Sequence, residues 1–143
     1  MISNLTKKNI ISHKTWYTRG VYQRGRGMLG RTFDDFDAMV FERCNSVHTL
    51  FMSISLDIIF IDREHSVCEL HRAVPPWRFC VHSKQGKTVI ELPVGVIEKT
   101  NIEVGDFLDL NAEAVKANEQ KKVSQELPLT INTVLSYNEE REL

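Results

Sequence analysis

The fold is decided by residues 44–62, CNSVHTLFMSISLDIIFID, the most apolar part of the 143-residue chain. Every even position from residue 50 to residue 60 is apolar, whereas positions 53, 55 and 57 are polar. An alternation of period two is typical of a β-strand. Because a strand of this length is unusual, we expect a bend between Ser53 and Asp57 and burial on both sides of the strand after it.

The segments that follow predict an antiparallel, mainly β domain. A polar turn, DREHS, leads to the return strand VCELHRAV at 67–74, and TVIELP at 88–93 is a further strand. The segment PPWR cannot continue a central ladder because proline lacks a donor N–H, so we expect a loop that holds Trp77 in place. VGVIEKTNI indicates one or two short helices, and FLDLN at 107–111 indicates a closing strand.

The length and composition are those of one globular domain, with 42% hydrophobic and 26% charged residues. We expect a basic N-terminal segment at 1–13, a compact antiparallel β-barrel-like domain at 14–111, and a C-terminal extension at 112–143 with a helix, a last strand and a frayed end. The apolar runs are too short for a membrane span, and lysines interrupt the first residues where a secretory signal needs an apolar run. We therefore expect a cytoplasmic protein that does not bind membranes.

The first 33 residues carry seven basic residues and no acidic one, although the net charge of the chain is −1. Within them, YQRGRGMLGR places Arg-Gly repeats next to aromatic residues, a composition suited to stacking on bases and neutralising phosphates. This pattern leaves open a nucleic-acid-binding module, and a merely solvated end explains the same charges. The basic residues are Lys7, Lys8, Lys14, Arg19, Arg24, Arg26 and Arg31.

Five sequence motifs occur in order along the chain: RGMLGR (26–31), CNSVHTLFM (44–52), LDIIFID (56–62), PPWR (75–78), and ELPVG with IEVGD (91–106). Together they resemble the domain-of-unknown-function family numbered 192, in the branch that combines a His-Thr-x-Phe-Met strand with a Pro-Trp-Arg loop. The resemblance covers about residues 14–111 and implies a compact, mainly antiparallel β domain with little helix, without implying a reaction. This chain has SIS at 53–55 where the family usually has Arg-Phe-Pro, and REH at 63–65 replaces a turn glycine.

Each of the three cysteines has a histidine nearby in the sequence, and thiolate and imidazole are both good zinc ligands. The spacing argues against a shared metal ion, because Cys68 and His71 are three apart on a predicted strand and point to opposite faces. We therefore expect no metal and no cofactor, with the cysteines acting as small buried apolar residues in a reducing compartment. The three pairs are Cys44 with His48, Cys68 with His71, and Cys80 with His82.

Nucleophilic catalysis is a second alternative, with Cys44 or Ser53 as nucleophile, His48 as base and Asp57 orienting the base. His48 and Asp57 lie about 25–30 Å apart if the segment is straight, so only the predicted bend would bring them together. No Gly-x-Ser-x-Gly turn is present. A hydrolytic enzyme is accordingly the third choice, after a binding protein and a nucleic-acid module.

The favoured interpretation is a shallow pocket that binds a small anionic or polar ligand. Arginine side chains are fork donors for anions, an aromatic residue supplies a wall, and histidine and aspartate supply polar groups. In the alternative, Trp77 plugs one end of the barrel and Arg78 pairs with a carboxylate such as Glu91. Exposed sheet edges also leave a homodimer open. The candidate ligand-binding residues are Arg31, His48, Asp57, Trp77 and Arg78.

Overall fold

The structure is a computed structural model that describes residues 1–18 and 25–110. Among their elements are ten β-strands and the helix α1, at Val96–Lys99. The prediction of a mainly β, antiparallel domain is confirmed. The strands are β1 (Ile2–Asn4), β2 (Asn9–Ser12), β3 (Thr15–Tyr17), β4 (Ala38–Glu42), β5 (Ser46–Val47), β6 (Leu56–Ile61), β7 (Val67–Val74), β8 (Val81–His82), β9 (Thr88–Pro93) and β10 (Leu108–Asp109).

A five-stranded sheet in the order β3-β4-β9-β6-β7 forms the centre of the described part of the chain. Strands β3 and β4 are parallel, and the other neighbours are antiparallel. All six residues of β6 are buried, which confirms the two-sided burial expected after the bend. Its isoleucines suit this position because β-branched side chains pack well on a pleated surface.

The two faces of the central sheet contact different hydrophobic cores. Ile59 of β6 and Ile90 of β9 are register partners and belong to one core, together with Ile97 of α1. Ile58 and Phe60, the neighbours of Ile59 in β6, belong to the other core. This separation follows from the strand geometry, since successive side chains point to opposite faces. A polar residue in β6 or β9 therefore faces one core or the other, never both.

Residues 1–13 contribute two strands to this fold. Strands β1 and β2 form a three-stranded sheet with β10, and Ile2 and Ile11 are buried in the same core as α1. The amide of Asn4 donates a 2.8 Å hydrogen bond to the Asp106 carboxylate, which ties the start of the chain to the turn before β10. The segment with a basic sequence thus packs as part of the core.

A two-stranded ribbon, β5 with β8, lies on the opposite face of the central sheet. Val81 of β8 is buried in the core of that face, and Val47 of β5 packs against it. Met28, Phe36 and Met52 complete this core from the segments before β4 and before β6. The ribbon and these segments leave two openings beside them, and both openings are described below.

The predicted strand from residue 50 begins only at Leu56. Residues 49–52 form a turn instead, in which the Met52 N–H donates to the Thr49 carbonyl, and Phe51 has a left-handed φ of 59°. The return strand and TVIELP have the predicted bounds, whereas the closing strand is limited to Leu108–Asp109. In the described residues the strands form three separate sheets and do not close into one barrel.

No helix among residues 1–18 and 25–110 is long and apolar enough to cross a membrane. The predicted helix and last strand at 112–143 lie outside the described residues, as do Arg19 and Arg24 of the basic segment.

Candidate functional site

The threonine of the His-Thr motif holds the Pro-Pro-Trp-Arg loop through four hydrogen bonds. The Thr49 hydroxyl donates to the Pro75 carbonyl at 2.7 Å and accepts from the Arg78 N–H at 2.9 Å. The Thr49 N–H donates to the Arg78 carbonyl, and the Thr49 carbonyl accepts from the Trp77 N–H. Thr49 is fully buried, and its four hydrogen bonds fix the backbone of residues 75–78.

Trp77 is exposed and forms an aromatic pair with Phe51. Its side chain is 60% exposed, and its ring centroid lies 4.9 Å from that of Phe51 in an edge-to-face arrangement. Its backbone has a left-handed φ of 68°, a strained value for a bulky residue that the hydrogen bonds of Thr49 maintain. The alternative that Trp77 plugs the end of a barrel is therefore wrong, because a plug would be buried.

Arg78 lies beside an open groove between β7 and β8. The groove has a volume of about 590 Å³, and its lining contains basic or protonatable side chains but no aspartate or glutamate. His71 Nε2 lies 2.9 Å from Glu69 Oε1, just outside the lining. Within the described residues neither arginine of this surface forms an ion pair with a carboxylate. We call this surface the Arg78 groove, and its charged or protonatable lining residues are His71, Arg72, Arg78 and His82.

A smaller cavity of about 110 Å³ lies on the same face of the sheet, beside β5. Glu91 of β9 reaches it from the sheet, and His48 reaches it from the segment after β5. Glu91 is 1% exposed, and its Oε2 atom is buried without a hydrogen-bond partner. The Nδ1 atom of His48 is also buried without a partner. We call this the Glu91 cavity.

The Glu91 carboxyl is placed in an unfavourable environment for a charge. Burial raises the pKa of Glu91 from 4.5 to about 8, because the carboxylate form would lose its hydration without gaining a cation or a donor. The ion pair between Arg78 and Glu91 considered above does not occur, since Arg78 lies at the groove and Glu91 Oε2 has no partner. At neutral pH the carboxyl therefore holds its proton and is both a hydrogen-bond donor and an acceptor.

Asp57 lies on the other face of the sheet from both openings. Its register partner in β9 is Leu92, which belongs to the core that contains α1, whereas the partner of Glu91 is Ile58. The Asp57 carboxylate accepts three backbone hydrogen bonds, from Ala73 at 2.9 Å, Gly95 at 2.9 Å and Ile97 at 3.0 Å. Asp57 thus joins β7 to the start of α1 and does not orient His48.

Arg31 also lies apart from the other candidates. Its guanidinium carbon is 4.1 Å from the ring centroid of Trp16, which is a cation–π contact. Trp16 contacts Phe36 edge to face, and Phe36 is buried in the core behind the ribbon. Arg31 therefore covers the aromatic edge of this core. The five predicted residues are distributed over the Glu91 cavity, the Arg78 groove, an exposed aromatic pair, the Trp16 surface and the α1 face.

The same structure can be used to examine the two other interpretations of the sequence, a metal site and a catalytic nucleophile. In residues 1–18 and 25–110 no three histidine, cysteine, aspartate or glutamate side chains lie close enough together to hold a metal ion. Cys44 lines the Glu91 cavity with His48, but its thiol donates to the Ser46 carbonyl at 3.0 Å. The Cys68 thiol has a raised pKa, chiefly because it is buried, which disfavours the reactive thiolate.

Sequence reasoning did not identify Glu91 as a site residue, although a signal was present. Glu91 is the one charged residue in TVIELP, a segment whose other internal positions are apolar. A carboxylate within a central strand is buried at a high cost unless it is paired, so an unpaired one is unusual. The sequence did not reveal which face of the sheet it occupies, because that depends on the register with β6.

Comparison with protein families gives a match over most of the described chain. The family model that matches residues 4–110 is DUF192, described as "Uncharacterized ACR". A UPF0127 protein of Thermococcus sibiricus is 37% identical over 119 residues, which cover 79% of this chain and 76% of that protein. A UPF0127 protein of Pyrococcus furiosus is 42% identical over 66 residues, which cover 46% of this chain and 56% of that protein.

Two crystal structures resemble the fold. A protein of unknown function from Novosphingobium aromaticivorans superimposes with a TM-score of 0.60 and 22% identity, covering 66% of this chain and 73% of that one. A Sinorhizobium meliloti protein, provisionally described as a transcription regulator, gives a TM-score of 0.60 at 21% identity, covering 66% and 79% of the two chains. At these identities the similarity establishes a shared fold.

Proposed function

Because this chain belongs to the DUF192 family, whose description names no activity, we propose a function from its own geometry: it binds a small anionic ligand in the Arg78 groove. The observation that carries this proposal is the charge of the groove lining. Two arginines and two histidines line it, and no carboxylate does. Guanidinium groups present several N–H donors in a fixed plane, which suits carboxylate and phosphate oxygens.

The backbone under Arg78 supports this proposal. A loop that is already fixed loses little conformational freedom when a ligand binds, so more of the interaction energy remains as affinity. The four hydrogen bonds of Thr49 fix residues 75–78 through backbone atoms and one threonine hydroxyl. The Arg78 side chain makes none of these bonds and is free to contact a ligand.

Glu69 limits the strength of the site. Its carboxylate lies 2.9 Å from His71 and competes with a ligand anion for that imidazole. The two arginines are exposed, so salt screens their attraction for an anion. We therefore expect binding that weakens as ionic strength rises, and a ligand with two or more negative oxygens to bind more tightly than chloride.

The test is calorimetric titration of inorganic phosphate and small dicarboxylates into the protein at low salt. Arg78→Ala should weaken binding at least tenfold while the fold remains intact, because the loop is held by backbone atoms. Arg63→Ala is the matched control, since Arg63 is exposed in the turn after β6 and lies outside the groove. Equal affinities for the wild type and Arg78→Ala would refute the proposal, and so would the absence of any anion binding.

The rival function is that of a nucleic-acid-binding module, and titrating the same protein with nucleic acid distinguishes the two functions. Short DNA or RNA would then bind with a steep salt dependence. Deleting the basic segment is not a clean test, because Ile2 and Ile11 are buried in the core. Replacing the exposed Lys7, Lys8 and Lys14 with glutamine keeps the core and should abolish nucleic-acid binding only if the rival is correct.

A further inference from the structure

The Glu91 cavity holds two buried polar atoms that no group in the described protein satisfies. Glu91 Oε2 and His48 Nδ1 both lack hydrogen-bond partners, and Glu91 is 1% exposed. Native proteins rarely leave such atoms unpaired, because a buried polar group without a partner destabilises the fold. Both residues line the same cavity.

The size of the cavity distinguishes a ligand from a single water molecule. Its volume of about 110 Å³ exceeds the share of liquid volume that one water occupies, about 30 Å³. An ordered water needs two to four polar partners, and much of the remaining lining is apolar, including Phe41, Val47 and Met52. Several waters would therefore compete for few hydrogen bonds, whereas one compact molecule could contact both the polar and the apolar walls.

The charges around the cavity disfavour an ionic ligand. A carboxylate ligand would accept one hydrogen bond from the protonated Glu91 carboxyl, but the second Glu91 oxygen would then face a ligand oxygen with no proton between them. A cationic ligand would meet the guanidinium of Arg26, an exposed residue that also lines the cavity. Unlike the Arg78 groove, this cavity offers one acidic group at its buried side and one basic group at its exposed side.

We infer that the Glu91 cavity binds a compact, uncharged group that carries both an N–H donor and a carbonyl acceptor, of the primary amide class. A protonated carboxyl and a primary amide form two hydrogen bonds with each other, one in each direction. The second N–H of the amide is then available to His48 Nδ1. The raised pKa of Glu91, due to burial, agrees with a carboxyl that is neutral before the ligand enters.

The experiment is an NMR titration of the ¹⁵N-labelled protein with acetamide at pH 7. The expected result is saturable shifts of the backbone amides around His48 and Glu91, with a dissociation constant on the order of 1 mM for so small a ligand. Acetate and methylammonium are the charged probes of matched size. Tighter saturable binding of either ion at these amides, or shifts that stay linear with acetamide, would overturn the inference.

Two variants test whether the polar atoms carry the binding. Glu91→Leu keeps the volume but removes the carboxyl, and it should weaken acetamide binding at least tenfold. His48→Phe keeps an aromatic ring but removes both ring nitrogens, including Nδ1, and it should weaken binding about fivefold, as expected for one lost hydrogen bond. Glu64→Leu, on an exposed turn residue, is the control and should bind normally. Binding that survives both cavity replacements would also overturn the inference.

The proposals for the Glu91 cavity and for the Arg78 groove can be refuted independently of each other. Acetamide binding is scored at amides around the Glu91 cavity, and phosphate binding is scored by the effect of Arg78→Ala. The two openings have no lining residue in common.

Discussion

Replacing Glu91 with glutamine should change how the stability of the protein depends on pH. The folded-state pKa of Glu91 is raised to about 8, above its ordinary value of 4.5, because the carboxyl is buried. Between these two values the folded protein keeps the proton and the unfolded chain releases it. The protonated Glu91 carboxyl therefore makes its full contribution to the free energy of unfolding below pH 4.5. This contribution is lost as the pH rises through about 8.

The magnitude follows from the width of that interval. Each pH unit within it lowers the free energy of unfolding by about 1.4 kcal/mol, so the whole interval amounts to on the order of 5 kcal/mol. This is a large part of the stability of a typical domain. Glutamine has nearly the same shape as the protonated acid but does not titrate, so the variant should lack this dependence.

The assay is equilibrium unfolding in urea at a series of pH values from 4 to 9, followed by tryptophan fluorescence and circular dichroism. We expect wild type and Glu91→Gln to have similar stabilities near pH 4 and the variant to be more stable at pH 8. Subtracting the two curves removes the histidines and the other carboxylates, which titrate in both proteins. Glu64→Gln, on an exposed turn, should follow the wild-type curve.

Parallel curves for the wild type and Glu91→Gln would refute the reasoning. They would mean that the Glu91 carboxyl ionises at its ordinary pKa in the folded protein, and hence that it is hydrated or paired. A variant that is less stable than the wild type at every pH would mean instead that the carboxyl accepts a hydrogen bond that an amide does not replace.

Three further substitutions test contacts that hold the fold together. Thr49→Val removes two hydroxyl hydrogen bonds from the loop under Arg78 and should cost about 1–3 kcal/mol in urea unfolding, with weaker phosphate binding in calorimetry. Asp57→Asn leaves one acceptor oxygen for three N–H donors, so unfolding should require about 2–4 kcal/mol less, and unchanged stability would contradict this role. Gly86→Ala would place a Cβ atom 2.8 Å from Phe60 Cδ1 in the core, and we expect a loss of about 1–3 kcal/mol, measured by the same unfolding assay.

Two strands of the central sheet, β7 and β9, were predictable because their patterns depend on local residues. VCELHRAV and TVIELP are bounded by turn residues, and their limits in the structure are those predicted. The start of β6 was not predictable from alternation. The apolar positions from residue 50 continue the strand pattern, but Thr49 directs the backbone into a turn by bonding to a loop that follows β7. That contact lies 26 or more residues away in the sequence.

The candidate site was less predictable than the strands, since residue types do not specify which face of a sheet they occupy. Asp57 and Ile58 are neighbours, and they face different cores. Asp57 and Phe60 are three positions apart on one strand, so the sequence alone indicates that their side chains point to opposite faces of the sheet. The face of Glu91, however, depends on the pairing of Glu91 with Ile58, and no local pattern encodes that register.

The His-Thr motif and the Pro-Trp-Arg loop, from which the sequence predicted a single pocket, lie at two different openings. His48 and Thr49 are consecutive residues, and each is associated with one opening. His48 lines the Glu91 cavity, whereas Thr49 bonds to the loop that carries Arg78. One short segment therefore has one residue at each opening, and its position is fixed by four hydrogen bonds to a buried threonine. A segment held in this way resists displacement, because moving it would break four hydrogen bonds made by a buried residue. The hydrogen bonds of Thr49 thus explain why the two motifs lie close together, and the two openings can be tested separately because they have no lining residue in common.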